Sequence, residues 1–341
     1  MATLKKAHQE LYRRSPDETF STLPDLISHC VQQKEQSNDL WKPPAQIVPD
    51  LSDGQFGLKL ADDGAYHLND WSFTQLCGLA RVNKETVNRL SPETISRVFR
   101  ETLPTGNKPL QLLASRNTVR SIHGVTYTRL WNADLLSVAH EFAGDFTPPQ
   151  TADGGGTGLY AGEQDMFVFL IDPSGWTEIN GQAFAPGCFL WNSEVGRRSV
   201  GVSTFWFQRI CANHIVWDAT EVVEFSRKHT ANVHEALVEI RRTLERLVSS
   251  RDARRDGFAR VMRKAMQERL GSDADEVLEV LGKSGVGRRL ARQALDIAQE
   301  QGAFTIFSVV DALTRLAGSL PFAGERLQAE VKAASLLELV A

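Results

Sequence analysis

The stretch Ala183-Phe-Ala-Pro-Gly-Cys-Phe-Leu-Trp191, then Asn192-Ser193-Glu194-Val195-Gly196, then Arg197-Arg198 and the apolar run Ser199–Trp217, decides the fold. Two long apolar segments rich in β-branched and aromatic residues flank a five-residue turn signal, which predicts a hairpin. Upstream, Asp165–Ile171 is a third buried strand, and Asp153-Gly154-Gly155-Gly156-Thr157-Gly158 is the loop that leads to it. Strands this close, joined by tight turns, favour an antiparallel or mixed sheet. The run 199–217 is expected to bend near Gln208–Ala212.

The pattern changes on either side of this block. From Thr230 onward the apolar residues recur at helix spacing: Val233, Leu237, Ile240, Leu244 and Leu247, then Phe258, Val261, Met262 and Ala265. Further helices are expected around 273–281, 286–301, 305–317 and 324–340. Before the block, Phe56, Leu58 and Leu60 alternate as a strand, and Leu112–Ala114 and Val119–Tyr127 are two more. Between them lie short helices at 72–80, 84–90 and from Ser91-Pro92-Glu93 to about Glu101. The pair around Arg81-Val82-Asn83 has the look of a helix-turn-helix, as any helical hairpin does. Asn132 is placed to cap a helix over Leu135–Phe142. Ser15-Pro16-Asp17-Glu18 predicts a helix start, and the polar residues 32–50, with Trp41-Lys42-Pro43-Pro44, predict an extended arm. The fold class is therefore α+β: a central antiparallel or mixed sheet with flanking helices, followed by a helical C-terminal region. The expected units are 1–50 (helix and arm), 51–229 (core) and 230–341 (helices).

Length and composition agree with this plan. The 341 residues, 42% hydrophobic and 23% charged, suffice for a sizeable core and exclude a disordered chain. No apolar run reaches the roughly 20 residues a membrane helix needs. The first residues, Met1-Ala2-Thr3-Leu4-Lys5-Lys6, carry no apolar leader, and four scattered cysteines do not make a disulfide scaffold; a reduced, cytoplasmic protein is expected. Net charge is −4, which excludes a wholly basic coat, but residues 226–270 hold 12 basic and 6 acidic residues.

Linear motifs for chemistry fail on inspection. Gly282-Lys283-Ser284 lacks the first glycine of a phosphate loop, since Val277 stands there, and it follows a helix. His140-Glu141 lacks the second histidine of a zinc helix, Gly144 being in its place. Cys188, Cys211 and His214 lack regular ligand spacing and fit a buried strand better. No metal, cofactor or catalytic residue is assigned.

Three ordered runs are the most specific feature: Asn192-Ser193-Glu194-Val195-Gly196-Arg197-Arg198, Arg209-Ile210-Cys211-Ala212-Asn213, and Arg227-Lys228-His229-Thr230-Ala231-Asn232-Val233. Together with Phe73–Ala80, Tyr127, Asn132 and Phe304–Thr314, this set resembles the prokaryotic phage/plasmid-like family that carries the domain of unknown function 932. His214 and Trp217 depart from its pattern. The resemblance implies a protein of phages, plasmids or related elements and brings no activity with it.

The residues themselves suggest more. Arg197, Arg198, Arg209, Arg227 and Lys228 would form a positive face if the sheet gathers them, because guanidinium groups fork onto phosphate oxygens. Trp191, Trp206, Phe207 and Trp217 would offer stacking surfaces for bases, although large apolar side chains more often belong to the core. The expected partner is nucleic acid, DNA with single strands favoured, or RNA, in replication or recombination, with a homo-oligomer as one form. Asn192, Ser193, Glu194, Asn213, His229 and Thr230 are the polar set of the motif. An enzyme acting on nucleic acid or nucleotides would use Asn192, Glu194, Asn213, His214 and His229, and a third reading is an assembly protein whose C-terminal helices bind a partner. A structural role is equally open to these residues: Asn and Ser close turns, and Thr230 is placed to cap the helix near Val233.

Overall fold

The computed structural model describes residues 10–51, 54–61, 63–148, 158–208, 214–217, 225–300, 302 and 304–341. In chain order the elements are β1 (Glu18–Thr19), α1 (Leu23–Glu35), β2 (Ser37–Lys42), β3 (Ile47–Asp50), β4 (Gly57–Leu60), β5 (Gly64–Leu68), α2 (Asp70–Ala80), α3 (Lys84–Val87), α4 (Pro92–Thr102), β6 (Leu110–Ser115), β7 (Thr118–His123) and α5 (Asn132–Phe142). There follow β8 (Leu159–Ala161), β9 (Met166–Ile171), β10 (Thr177–Ile179), β11 (Gln182–Asn192), β12 (Val200–Gln208), β13 (His214–Trp217) and β14 (Phe225–Arg227). The chain ends in α6 (Ala236–Ser249), α7 (Arg251–Gln267), α8 (Ala274–Lys283), α9 (Arg288–Glu300), α10 (Ile306–Gly318) and α11 (Ala323–Ala334).

The α+β class holds, with two sheets. The first has the order β2-β6-β7-β5-β4-β3, antiparallel except for the parallel pair β5 and β7. The second runs β1-β8-β9-β11-β12-β13, with β10 on β11 and β14 on β12, antiparallel throughout. Alternation sorts its residues by face. Met166, Val168, Leu170, Cys188, Leu190, Val200 and Val202 form one aliphatic core with residues of α1, α5 and α6. Phe167, Phe169, Phe189, Trp191, Phe205 and Phe207 make an aromatic core on the other face, which includes Ala334 of α11. Toward the far end of β12, Trp206 stacks on Phe258 of α7 at 4.3 Å and joins the helical C-terminal core.

The aromatic face depends on small residues across the strands. Trp191 pairs with Gly201 in register, and a Cβ on Gly201 would sit 2.2 Å from the indole. The indole lies over the space that glycine leaves.

The N-terminal part differs from its sequence reading. The helix expected at Ser15 begins instead at Leu23, where the Thr22 hydroxyl accepts from the Asp25 N–H. Ser15–Glu18 is extended because its long-range contacts outweigh the local helix signal. Glu18 and Thr19 pair with Ala161 and Tyr160, and Arg14 holds Asp17 at 2.9 Å. Residues 37–50, read as an arm, are β2 and β3. β2 finds its partner more than sixty residues on, from Leu110 to Ser115, so local composition carried no sign of it. β7 stops at His123 rather than running to Tyr127.

Candidate functional site

The two sheets meet where the β11–β12 turn of the second sheet seats against the end of β7. Local chain geometry prepares both sides. Along β7 the pairing with β6 shifts register between Leu113 and Ala114, leaving Arg120 as an extra residue. Such a bulge re-aims a side chain, and here it sends the Arg120 guanidinium into the junction. On the turn, Gly196 has φ +73, and its missing Cβ leaves room for the His123 and Tyr127 rings, which a Cβ would approach to 2.6 and 2.9 Å.

The turn residues are held by hydrogen bonds from several elements. Asn192 donates to the Leu130 carbonyl and to Asn132 Oδ1, both at 2.9 Å. Ser193 Oγ donates to the Gln164 carbonyl at 2.5 Å and accepts from the Arg197 N–H at 2.9 Å. Glu194, 2% exposed, uses both carboxylate oxygens. One lies 3.1 Å from Arg120 Nη1, and the other accepts from the Asn132 N–H at 2.8 Å. The Glu194 carbonyl accepts from Tyr127 Oη at 2.8 Å and from the Arg129 guanidinium. The Val195 carbonyl accepts from Trp71 Nε1 at 2.7 Å. Arg120 reaches Gln33 at 3.0 Å, and Arg129 holds Asp39 through two contacts, 2.6 and 3.2 Å.

Aromatic rings flank this network. His123 stacks on Tyr127 at 3.7 Å, and Tyr127 faces His229 at 5.5 Å. Burial, aided by the nearby Arg129 charge, pushes both imidazoles down to about 4, so both are neutral at pH 7. Burial likewise raises the Tyr127 phenol, despite the opposing pull of Arg129. The Arg129 guanidinium lies over Tyr127 at 5.3 Å and over Trp131 at 5.5 Å.

The sequence-selected residues therefore divide. Asn192, Ser193, Glu194 and His229 converge in the junction and point inward. Thr230 is exposed and does not cap with its side chain; its backbone carbonyl accepts from Val233 across a 3-10 turn, and α6 starts only at Ala236. Asn132 is not a cap either. It is the first residue of α5, and the Glu194 carboxylate supplies the capping acceptor. Of the positive set, Arg198 sits over Phe167 with Asp165 at 3.3 Å, and Arg227 pairs with Glu235 at 2.7 Å. Arg197 is exposed at the turn, 5.5 Å from the Trp71 ring, and Lys228 is exposed at the end of β14. Arg209 and Asn213, and the side chain of His214, lie outside the described residues. Among the described residues no group of three His, Cys, Asp or Glu could hold a metal ion.

Arg120, Arg129, Asp39, His123 and Trp71 escaped the sequence reading as site residues. The available signal was the charge in Val119-Arg120-Ser121-Ile122 and Arg129-Leu130-Trp131: arginines inside apolar runs are rarely buried unless paired.

No curated protein and no solved structure matches the chain. Residues 151–282 match a family model described as a domain of unknown function, DUF932. That span contains the motif turn, β14 and α7, while Arg120, Tyr127, Arg129 and Trp71 lie before it. The likeness to the DUF932 family is thus confined to residues 151–282 of the 341.

Proposed function

We propose that the protein binds nucleic acid, single strands in preference, in the setting of a phage, plasmid or related element. One observation carries this reading. Arg197 stands exposed on a turn whose inner side is fixed by Ser193, Glu194, Tyr127 and Trp71, and its guanidinium lies over the half-buried Trp71 ring. A rigid turn that presents a cation beside an indole offers a phosphate contact and a stacking surface together. In register, Val200 opposes Arg227, which brings exposed Lys228 toward the same end of the sheet. On α7, Arg260, Arg263 and Lys264 are exposed at helical spacing on the side opposite the buried Phe258, Val261 and Met262. These give the net positive 226–270 segment an outward face.

An enzyme using Glu194 has less support, because both of its oxygens are engaged and the group is buried. The buried thiols of Cys30 and Cys77 are in keeping with a reducing, cytoplasmic setting.

The test is binding of labelled single- and double-stranded DNA and RNA across a salt series. Arg197→Ala is expected to weaken binding about tenfold and to reduce the slope of log affinity against log salt by about one. Equal affinity and slope in the variant would overturn the reading.

A further inference from the structure

We infer a second base-stacking station at Trp41, in addition to Trp71; it rests on the nucleic-acid reading above. Trp41 is 49% exposed on β2, an edge strand of the first sheet among the described residues. In register it opposes Gln111, and Gln111 opposes His123. The three side chains therefore lie in one row on one face of the sheet, since directly paired residues share a face. That is the face from which Asp39, two residues from Trp41, grips Arg129.

Two polar atoms in the row have no hydrogen-bond partner: Gln111 Oε1 and His123 Nε2, both buried. Buried polar atoms ordinarily are paired. An exposed indole beside an unpartnered carbonyl acceptor suits a planar ligand that stacks and donates, which describes a nucleobase bearing an exocyclic amine. Asp39 and Lys42 on β2 are themselves taken up by Arg129 and Asp63, so they do not set a repelling charge beside the indole. Trp71 and Trp41 are both tied to the motif turn, the first through the Val195 carbonyl and the second through Asp39, Arg129 and the Glu194 carbonyl. A strand that is long enough engages both stations.

The experiment measures affinity for oligo(dC) of roughly 4 to 16 nucleotides, the range of known single-strand sites. The intact protein, Trp41→Ala and Trp41→Phe are compared, with circular dichroism to verify folding. The expected result is a gain of about tenfold between short and long oligomers. Trp41→Ala removes the gain and Trp41→Phe keeps most of it, while affinity for the shortest oligomer stays unchanged in both. Binding of short oligomers with no gain on lengthening, or a gain that survives in Trp41→Ala, overturns the second station and leaves the Arg197 reading standing. No binding of any oligomer at low salt overturns both.

Discussion

The Glu194 carboxylate accepts a hydrogen bond from the backbone N–H of Asn132 at 2.8 Å, and so caps helix α5 from a turn sixty-two residues further along the chain. Helix N-termini favour negative charge, and α5 has no side-chain cap of its own. The other oxygen meets Arg120, and both partners are almost wholly buried. Removing one member of a buried pair leaves the other charged and unsolvated, at a cost of about 3–5 kcal/mol. Glu194→Ala is therefore expected to lower unfolding stability by that amount. Glu194→Gln should lose less, since its amide oxygen can still accept from Asn132. Equal urea midpoints for Glu194→Ala and the intact protein would show that the junction is not what joins the sheets.

The two neutral histidines make stability depend on pH. A histidine with a folded pKa near 4 and an unfolded value near 6.5 binds its proton more readily in the unfolded chain. Its contribution is complete above pH 6.5 and is lost as pH falls from there toward 4, at up to about 1.4 kcal/mol per pH unit for each ring. Burial raises the carboxyl groups of Glu163 and Asp165, which works in the opposite direction. The histidine share is thus read as a difference between variants. Urea unfolding of the intact protein and of His229→Phe at pH 7, 6 and 5 should show a shallower acid loss in the variant. Parallel curves would place the acid sensitivity elsewhere.

How much of this was legible in the sequence follows from the range of the interactions. The β11–β12 hairpin and helices α6 to α10 announce themselves through turn residues and apolar spacing over ten or so positions, and the structure has them. β2 carries Asn38, Asp39 and Lys42 and has little strand propensity; it is a strand because β6 pairs with it. Asn192, Ser193, Glu194 and His229 were picked out by their order and type, and the fold does bring them together. What could not be read was their direction. An Asn-Ser-Glu turn has the composition of an exposed loop, and only the arrival of Arg120 on a bulge and Arg129 on the following loop makes it a buried hub. Arg198 and Arg227 look in sequence like Arg197, and only the positions of Asp165 and Glu235 set them apart.

Gly196 tests how tightly the turn is held. At φ +73 an L-residue is strained, and its Cβ would meet the His123 and Tyr127 rings. Neither ring can move away without disturbing the other, because they stack at 3.7 Å. Gly196→Ala is expected to cost about 2–4 kcal/mol, more than the strain alone. If the nucleic-acid reading holds, it should also weaken binding through Arg197, next in the chain. A variant with full stability and intact affinity would mean that the turn tolerates a different path.

Asn88 ties down the N-terminal strap, and the strap bears on three parts of the molecule. Both ends of its amide pair with the backbone of one residue: Oδ1 accepts from the Tyr12 N–H at 2.8 Å, and Nδ2 donates to the Tyr12 carbonyl at 2.7 Å. The Leu11 N–H adds a bond to the Asn88 carbonyl at 3.1 Å. The side chain thus stands in for a strand, and it is 2% exposed. The Tyr12 ring stacks on Phe73 at 4.4 Å, Arg14 lies over Phe322 beside α11, and Glu18–Thr19 pairs with β8. Asn88→Ala leaves two backbone groups of Tyr12 without partners, a loss of about 1–3 kcal/mol. Elements held by few contacts open locally before the whole protein unfolds. Hydrogen exchange over residues 10–19 is therefore expected to accelerate roughly tenfold or more in Asn88→Ala, with little change in the core strands β9, β11 and β12. Unchanged protection would show that the Tyr12–Phe73 stack and the β1–β8 pairing hold the strap without Asn88; accelerated exchange across all three strands would show that the strap is part of the global fold.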